Sequence, residues 1–303
     1  MSQNSVQIVG DKTNGYVLYD PLGCVVYTFD PKLNAYSPYS ALPKLTPGTD
    51  PVFITGNAKS GVVYCSGKQV FYLTDIGNSQ AKWKALLPAP FNIKGICGDL
   101  LNGVVIHDGD KLAQIKDVFN HPLWQTTAVS PRIPIAGIAG DGTNGIVVYG
   151  PISELLESYY DASGNFVPSV YKFAGQPYGS AIPMQEPPIH IDFLIGDGSN
   201  GYVAFGENQL FSLDAGKGVW TKICSLNFTL TAAAGNPKDG LTAMIGKDNF
   251  VAVTDFKQWS LVQTMPVLSN PVAMIDVPTL VKPASAAPKS TDGNVDTTCH
   301  KEG

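Results

Sequence analysis

The side chains that could do chemistry are scattered along this chain. Asp108, Asp110, Glu154, Glu157, Glu186 and Glu207 fall in turn-like stretches. They are the kind of acids from which glycosidases draw a catalytic pair, whose separation decides between retention and inversion, but their spacing singles out no pair. His107, His121, His190 and His300 stand apart from one another, with no H-E-x-x-H helix signature and no Cys and His spacing of the zinc type. A single arginine, Arg132, cannot supply a set of planar, bidentate clamps for an anionic substrate. Neither a G-x-S-x-G elbow nor a phosphate-cradling glycine loop ending in Lys-Ser or Lys-Thr occurs. The expectation is no metal, no cofactor and no enzymatic activity.

The elements that must position these residues are legible as a repeat. Gly10-Asp11-Lys12-Thr13-Asn14-Gly15 recurs in kind as GNAKSG, GDLLNG, GDGTNG, GDGSNG and GNPKDG, ending at Gly61, Gly103, Gly145, Gly201 and Gly240. Such hexapeptides between apolar runs read as tight hairpin turns, in which Asn-Gly, Ser-Gly and Asp-Gly provide positive φ. After each hairpin comes a third strand, an acidic turn and an aromatic fourth strand. Asp30, Asp75, Asp117, Asp214 and Asp255 are followed by Tyr36, Trp83, Trp124, Trp220 and Trp259.

Repeats of this length with four strands each are the mark of propeller blades. We expect an all-β fold, a six-bladed β-propeller of four-stranded antiparallel blades over residues 1–277, followed by a flexible C-terminal tail over 278–303. The blades are placed at 6–50, 51–92, 93–134, 135–190, 191–231 and 232–271. The fourth is long, and its excess within 151–190 predicts an extended hairpin or loop. Residues 271–276 resemble the start of a blade and read either as a closing strand or as a fragment of a further one.

Composition narrows the function. Charged residues make up 15% of the chain, Gly and Pro number 31 and 23, and the net charge is -5. An acidic chain of this kind offers no broad positive field for phosphate backbones, so nucleic acid is not an expected partner. No apolar run is long enough to span a membrane and the N-terminus lacks a secretory pattern, so neither membrane insertion nor a signal peptide is expected. Cys24, Cys65, Cys97, Cys224 and Cys299 are far apart and read as buried thiols of a protein kept in a reducing compartment.

Ser212-Leu213-Asp214-Ala215-Gly216-Lys217-Gly218-Val219-Trp220 resembles the Asp-box of BNR-type propellers, with one extra residue before the tryptophan and Val in place of Thr. The resemblance implies that Asp214 and Trp220 are structural. Sialidases share that propeller, but their arginine triad has no counterpart here. Asn-Gly-Tyr-Val-Ala-Phe-Gly at 200–206, followed by a tryptophan-bearing turn, is similar to propellers in bacteriophage tails and other virion parts. These similarities imply a non-enzymatic structural or interaction propeller in a virion or the cytoplasm, bound to other protein chains. Carbohydrate binding is the alternative, and a glycosidase with dispersed carboxylates stands behind it. The Pro-rich connections and the fourth-blade insertion supply the expected partner surface: Phe91, Arg132, Glu154, Tyr159, Tyr160, Tyr178 and His190.

Overall fold

The computed structural model describes residues 6–264, apart from 22, 34, 38–39, 43–49, 79, 129–133, 151–169, 174–181, 246–249 and 257–258. Every regular element among them is a β-strand, and each sheet is a meander of consecutive antiparallel strands. The sequence explains why these segments extend. Second strands such as Gly103–His107 and Gly145–Tyr149 are unbroken apolar runs, and Val104, Val105, Ile106, Ile146, Val147 and Val148 have no solvent exposure. A strand buried on both faces reads as a continuous apolar run rather than an alternation.

Both faces are buried because each sheet packs between two others. Five sheets have four strands, formed by residues from Val52–Asn57 to Lys84–Ala85, Gly95–Asp99 to Gln125–Ala128, Gly137–Asp141 to Ile182–Pro183, Phe193–Asp197 to Val219–Ser225, and Leu230–Asn236 to Trp259–Thr264. The expectation of uniformly four-stranded blades needs correction in the first sheet, which has five strands. Its third strand, Val25–Asp30, pairs with both Ala35–Tyr36 and Ser40–Ala41. Pro38, which has no N–H to give to a ladder, falls between these two pieces.

Apolar clusters fill the spaces between successive sheets. Val17, Tyr19 and Val26 of the first sheet meet Ile54, Val62 and Leu73 of the second, and Val105 and Leu112 of the third meet Ile138, Ile146 and Phe173 of the fourth. The last sheet closes on the first in the same way, with Ala234 and Met244 against Ile8, Tyr16, Leu18 and Tyr27. Among the described residues, the first and last sheets meet by side-chain packing, each built from its own stretch of chain. The closing strand expected at 271–276 and the tail lie outside the described residues, as do 151–169 and 174–181 of the fourth-blade excess expected within 151–190.

A hydrogen bond repeated around the rim locks neighbouring sheets together. The indole N–H groups of Trp83, Trp124 and Trp220 donate to the carbonyls of Ala41, Leu87 and Gln185 on the preceding sheet, at 2.8, 2.9 and 2.8 Å. Replacing any of them by Phe keeps an aromatic ring but removes the donor along with the fused five-membered ring. We expect each such change to cost about 1 kcal/mol in urea unfolding, the usual net value of one hydrogen bond.

The reading of all cysteines as buried thiols is corrected at two positions. Cys65 and Cys97 are buried and free, but Cys24 is exposed, and the buried Cys224 is disulfide-bonded. No helix among the described residues is long and apolar enough to cross a membrane.

Candidate functional site

The hairpin motif builds a collar around the centre of the ring. In the first unit, Asp11 lies opposite Gly15, leaving three residues in the loop. Asp11 Oδ1 accepts the N–H groups of Thr13 and Asn14, both at 2.8 Å, and its Oδ2 accepts from Asn14 Nδ2 at 2.9 Å. The same capping recurs at Asp99, Asp141 and Asp197. Asn57 and Asn236 do the equivalent through a side-chain amide oxygen.

The residue before the second glycine does not supply the positive φ, as the turn chemistry had suggested. Both glycines of each motif do, with φ of 96° and 79° at Gly10 and Gly15 and corresponding values at Gly61, Gly103, Gly145, Gly201 and Gly240. The left-handed residue that brings the chain out of the loop is the second glycine, the residue paired opposite the aspartate. Asn14 and its counterparts are free to cap the aspartate instead.

Each hairpin leans on the one before it. Ala58 and Lys59 donate their N–H groups to the carbonyls of Gly15 and Asn14, and Thr143 Oγ1 donates to the Asn102 carbonyl at 2.9 Å. Thr13 Oγ1 reaches Asp239 Oδ2 at 3.3 Å, completing the circle. Inside the collar lies a cavity of about 500 Å³, lined by the innermost strand of all six sheets. It occupies the hairpin end of the ring, where the wall residues are Ile, Leu, Val, Gly, Ala, Cys and Thr and the hairpins add Asp11, Asp99, Asp141 and Asp197 together with Asn and Ser side chains. Burial raises the pKa of the Asp141 carboxyl, the charge of Asp99 adds to the rise, and hydrogen bonds from Asn144 and Thr143 oppose it. Among the described residues no lysine or arginine pairs with these four carboxylates, and no group of three or more His, Cys, Asp or Glu side chains is arranged to hold a metal.

The outer turns on the same end follow the same capping chemistry. Asp214 Oδ1 accepts the N–H groups of Gly216 and Lys217 at 3.0 and 3.1 Å, and these bonds, led by the one from Lys217, hold its carboxyl below the usual range. Trp220 makes the rim hydrogen bond to Gln185 already described.

Of the sequence-predicted partner residues, Phe91 and His190 fall among the described residues. Phe91 is half-buried against the core between the second and third sheets. His190 is exposed, with Nδ1 3.7 Å from Asp192 Oδ1 and its backbone N–H donated to Glu207 Oε1 at 3.1 Å. Arg132, Glu154, Tyr159, Tyr160 and Tyr178 lie outside the described residues. The sequence reading missed a different surface, on the second and third sheets. Leu87, Leu101, Phe119 and Leu123 are 49%, 66%, 48% and 63% exposed. The Phe119 ring meets Tyr72 edge-on at 6.0 Å, and Lys84 Nζ lies 5.7 Å from the centre of the same tyrosine ring.

These sheets, arranged radially around one cavity, define a β-propeller. No protein-family model matches the chain, and no curated protein matches it in sequence. Solved structures do share its fold. The structure of streptogramin B lyase superposes with a TM-score of 0.55 at 10% identity, over 88% of this chain and 84% of that one. The structure of U3-55K does so with a TM-score of 0.51 at 9% identity, over 87% and 83%. At such identities the likeness is one of fold.

The lyase corrects one expectation from the sequence. A propeller of this fold carries an enzyme, so the absence of familiar motifs does not exclude catalysis.

Proposed function

We propose that the chain is an interaction propeller that docks another protein chain of an assembly through exposed apolar side chains of its second and third sheets. The observation that carries this reading is the group of exposed apolar side chains Leu87, Leu101, Phe119 and Leu123. Four of the seven large apolar side chains exposed among the described residues belong to these two neighbouring sheets, the others being Leu33, Ile182 and Val219, and apolar side chains scattered singly need no explanation. Phe119 on Tyr72 supplies an aromatic anchor and Lys84 a polar margin, the layout of a desolvated centre with a charged rim. The setting we infer is a virion. That inference rests on the similarity of the string at 200–206 to propellers of bacteriophage tails.

The test is photo-crosslinking from a benzophenone side chain placed at Leu123, carried out in the native assembly. A single protein adduct is expected, reduced about tenfold or more when Phe119→Ser and Leu101→Ser are added, the loss expected when anchor residues are truncated. An adduct that is unchanged by these substitutions, or no adduct, overturns the reading.

A second reading, carbohydrate binding, is favoured by the polar cavity at the centre of the ring. It involves a different surface and is compatible with docking on the rim.

A further inference from the structure

We infer that the central cavity is a binding site for a compact, hydroxyl-rich and non-anionic ligand such as a small sugar, an inference that rests on the carbohydrate-binding reading and assigns it a place and a chemistry. The argument begins with the free edges of the innermost strands. Each pairs with a partner on one side only. The Ile54 N–H donates to Gln7 Oε1 at 3.1 Å, and Gln7 Nε2 donates to the Val52 carbonyl at 2.9 Å. Residues 52, 54 and 56 therefore turn their backbone polar groups away from the second strand, because the two sides of an antiparallel strand alternate with period two.

The register is the same in every unit, with Ile8 opposite Leu18, Ile54 opposite Tyr64 and Ile138 opposite Val148. Ile8 and Gly10, and their equivalents around the ring, thus aim both N–H and C=O at the centre, and all of them line the cavity. Among the described residues, the partners found for these cavity-facing groups are Gln7 on Ile54 and the Thr55 hydroxyl, which donates to the Gly98 carbonyl at 2.6 Å. Buried backbone groups of this kind are satisfied by water or by a ligand.

The distribution of these groups selects the ligand. Donors and acceptors alternate on every side of the cavity, and a hydroxyl group both donates and accepts. An extended peptide would satisfy the edges on two sides and leave the rest, whereas a compact ring of hydroxyls meets all of them. The volume of about 500 Å³ is that of a small-molecule site. The carboxylates of Asp11, Asp99, Asp141 and Asp197 at the mouth set the sign, since a focused negative field repels anions.

The experiment uses the full chain with ¹⁵N-labelled glycine, titrated with maltotriose, with the diamino sugar chitosan dimer and with a uronic-acid disaccharide. The amide signals of Gly10, Gly98, Gly140 and Gly196 should move with the first two sugars while those of Gly23 and Gly77 stay still. The uronic acid should bind about tenfold more weakly or not at all. Ser199 sits exposed at the mouth, so Ser199→Trp should abolish the shifts while leaving the rest of the glycine spectrum in place. Shifts confined to glycines outside the cavity would show a sugar site elsewhere and overturn this assignment without touching the carbohydrate reading. No shift with any sugar overturns both, and equal binding of the uronic acid, or binding undiminished by Ser199→Trp, overturns the assignment.

Discussion

Lowering the pH from 7 to 4 should destabilise the protein by about 3 kcal/mol through one side chain, His107, and His107→Leu should remove that part of the pH dependence. His107 closes the second strand of the third sheet and is 1% exposed. Its ring lies over Gly95, where an added Cβ would sit 2.2 Å from Nε2. Neither ring nitrogen has a hydrogen-bond partner. Burial therefore lowers its pKa from 6.5 to about 4; Asp108 pulls the other way, and Lys94 adds to the lowering.

The direction of the effect follows from the proton balance. Below pH 6.5 the unfolded chain takes up a proton at this position that the folded chain refuses, so stability falls as pH drops from 6.5 and levels off below about 4. A difference of about 2.5 units at 1.36 kcal/mol each gives the magnitude. Urea unfolding of the two proteins side by side isolates the effect, because the carboxylates that titrate at the lower end of the range are common to both. Parallel curves from pH 7 to 4 would mean that the folded protein admits the proton, with the ring able to reach water or an acceptor.

Much of the architecture was legible because the hairpin motif is chemically demanding. A loop that needs two left-handed glycines and an Asx cap leaves the same letters wherever it is used, and Gly10 to Gly15 announces the same hairpin as Gly235 to Gly240. The aromatic of the fourth strand was equally visible, but the carbonyl that receives its indole N–H belongs to another repeat and has no sequence signature. The pairing of Val25–Asp30 with both Ala35–Tyr36 and Ser40–Ala41 in the first sheet is a departure that no residue pattern announces.

The candidate surfaces were less legible, for a reason shown by two neighbouring residues. Leu100 and Leu101 sit together in one hairpin loop, yet the first is 1% exposed, packed between the second and third sheets, and the second is 66% exposed. Nothing in the composition distinguishes them, since the turn decides which points inward. Phe91 shows the converse, an aromatic in a Pro-rich connection that lies half-buried against the core. The cavity had no motif either, because its wall is backbone, and which backbone groups face the centre depends on how six separate hairpins are arranged around it.

The first glycine of the motif should prove the most costly residue in the collar to change, and Gly140→Ala is its clearest test. Gly140 has φ of 107°, in a region where an L side chain is strained. A Cβ there would lie 2.3 Å from the Gly145 carbonyl oxygen, 2.9 Å from Ile146 Cα and 3.0 Å from the Tyr202 hydroxyl. The first two are backbone atoms of the paired strand and cannot swing aside. The third anchors the next sheet, because the Tyr202 hydroxyl donates to the same Gly145 carbonyl at 3.3 Å. Relieving the clash therefore means opening the Gly140 to Ile146 register or breaking the contact between the fourth and fifth sheets. Backbone strain and lost packing together place the cost at about 3 kcal/mol or more, in the range reserved for specific structural faults. Gly216→Ala is the matched control. Gly216 lies in the exposed Asp214 turn, outside the left-handed region, with Asp214 Oδ1 as its near neighbour at 3.2 Å, and should change stability by no more than about 0.5 kcal/mol. Urea midpoints for the two variants should separate accordingly. A cost below about 1 kcal/mol for Gly140→Ala would show that the hairpin can relax into another turn, and the collar would then owe its form to the Asx caps rather than to the glycines.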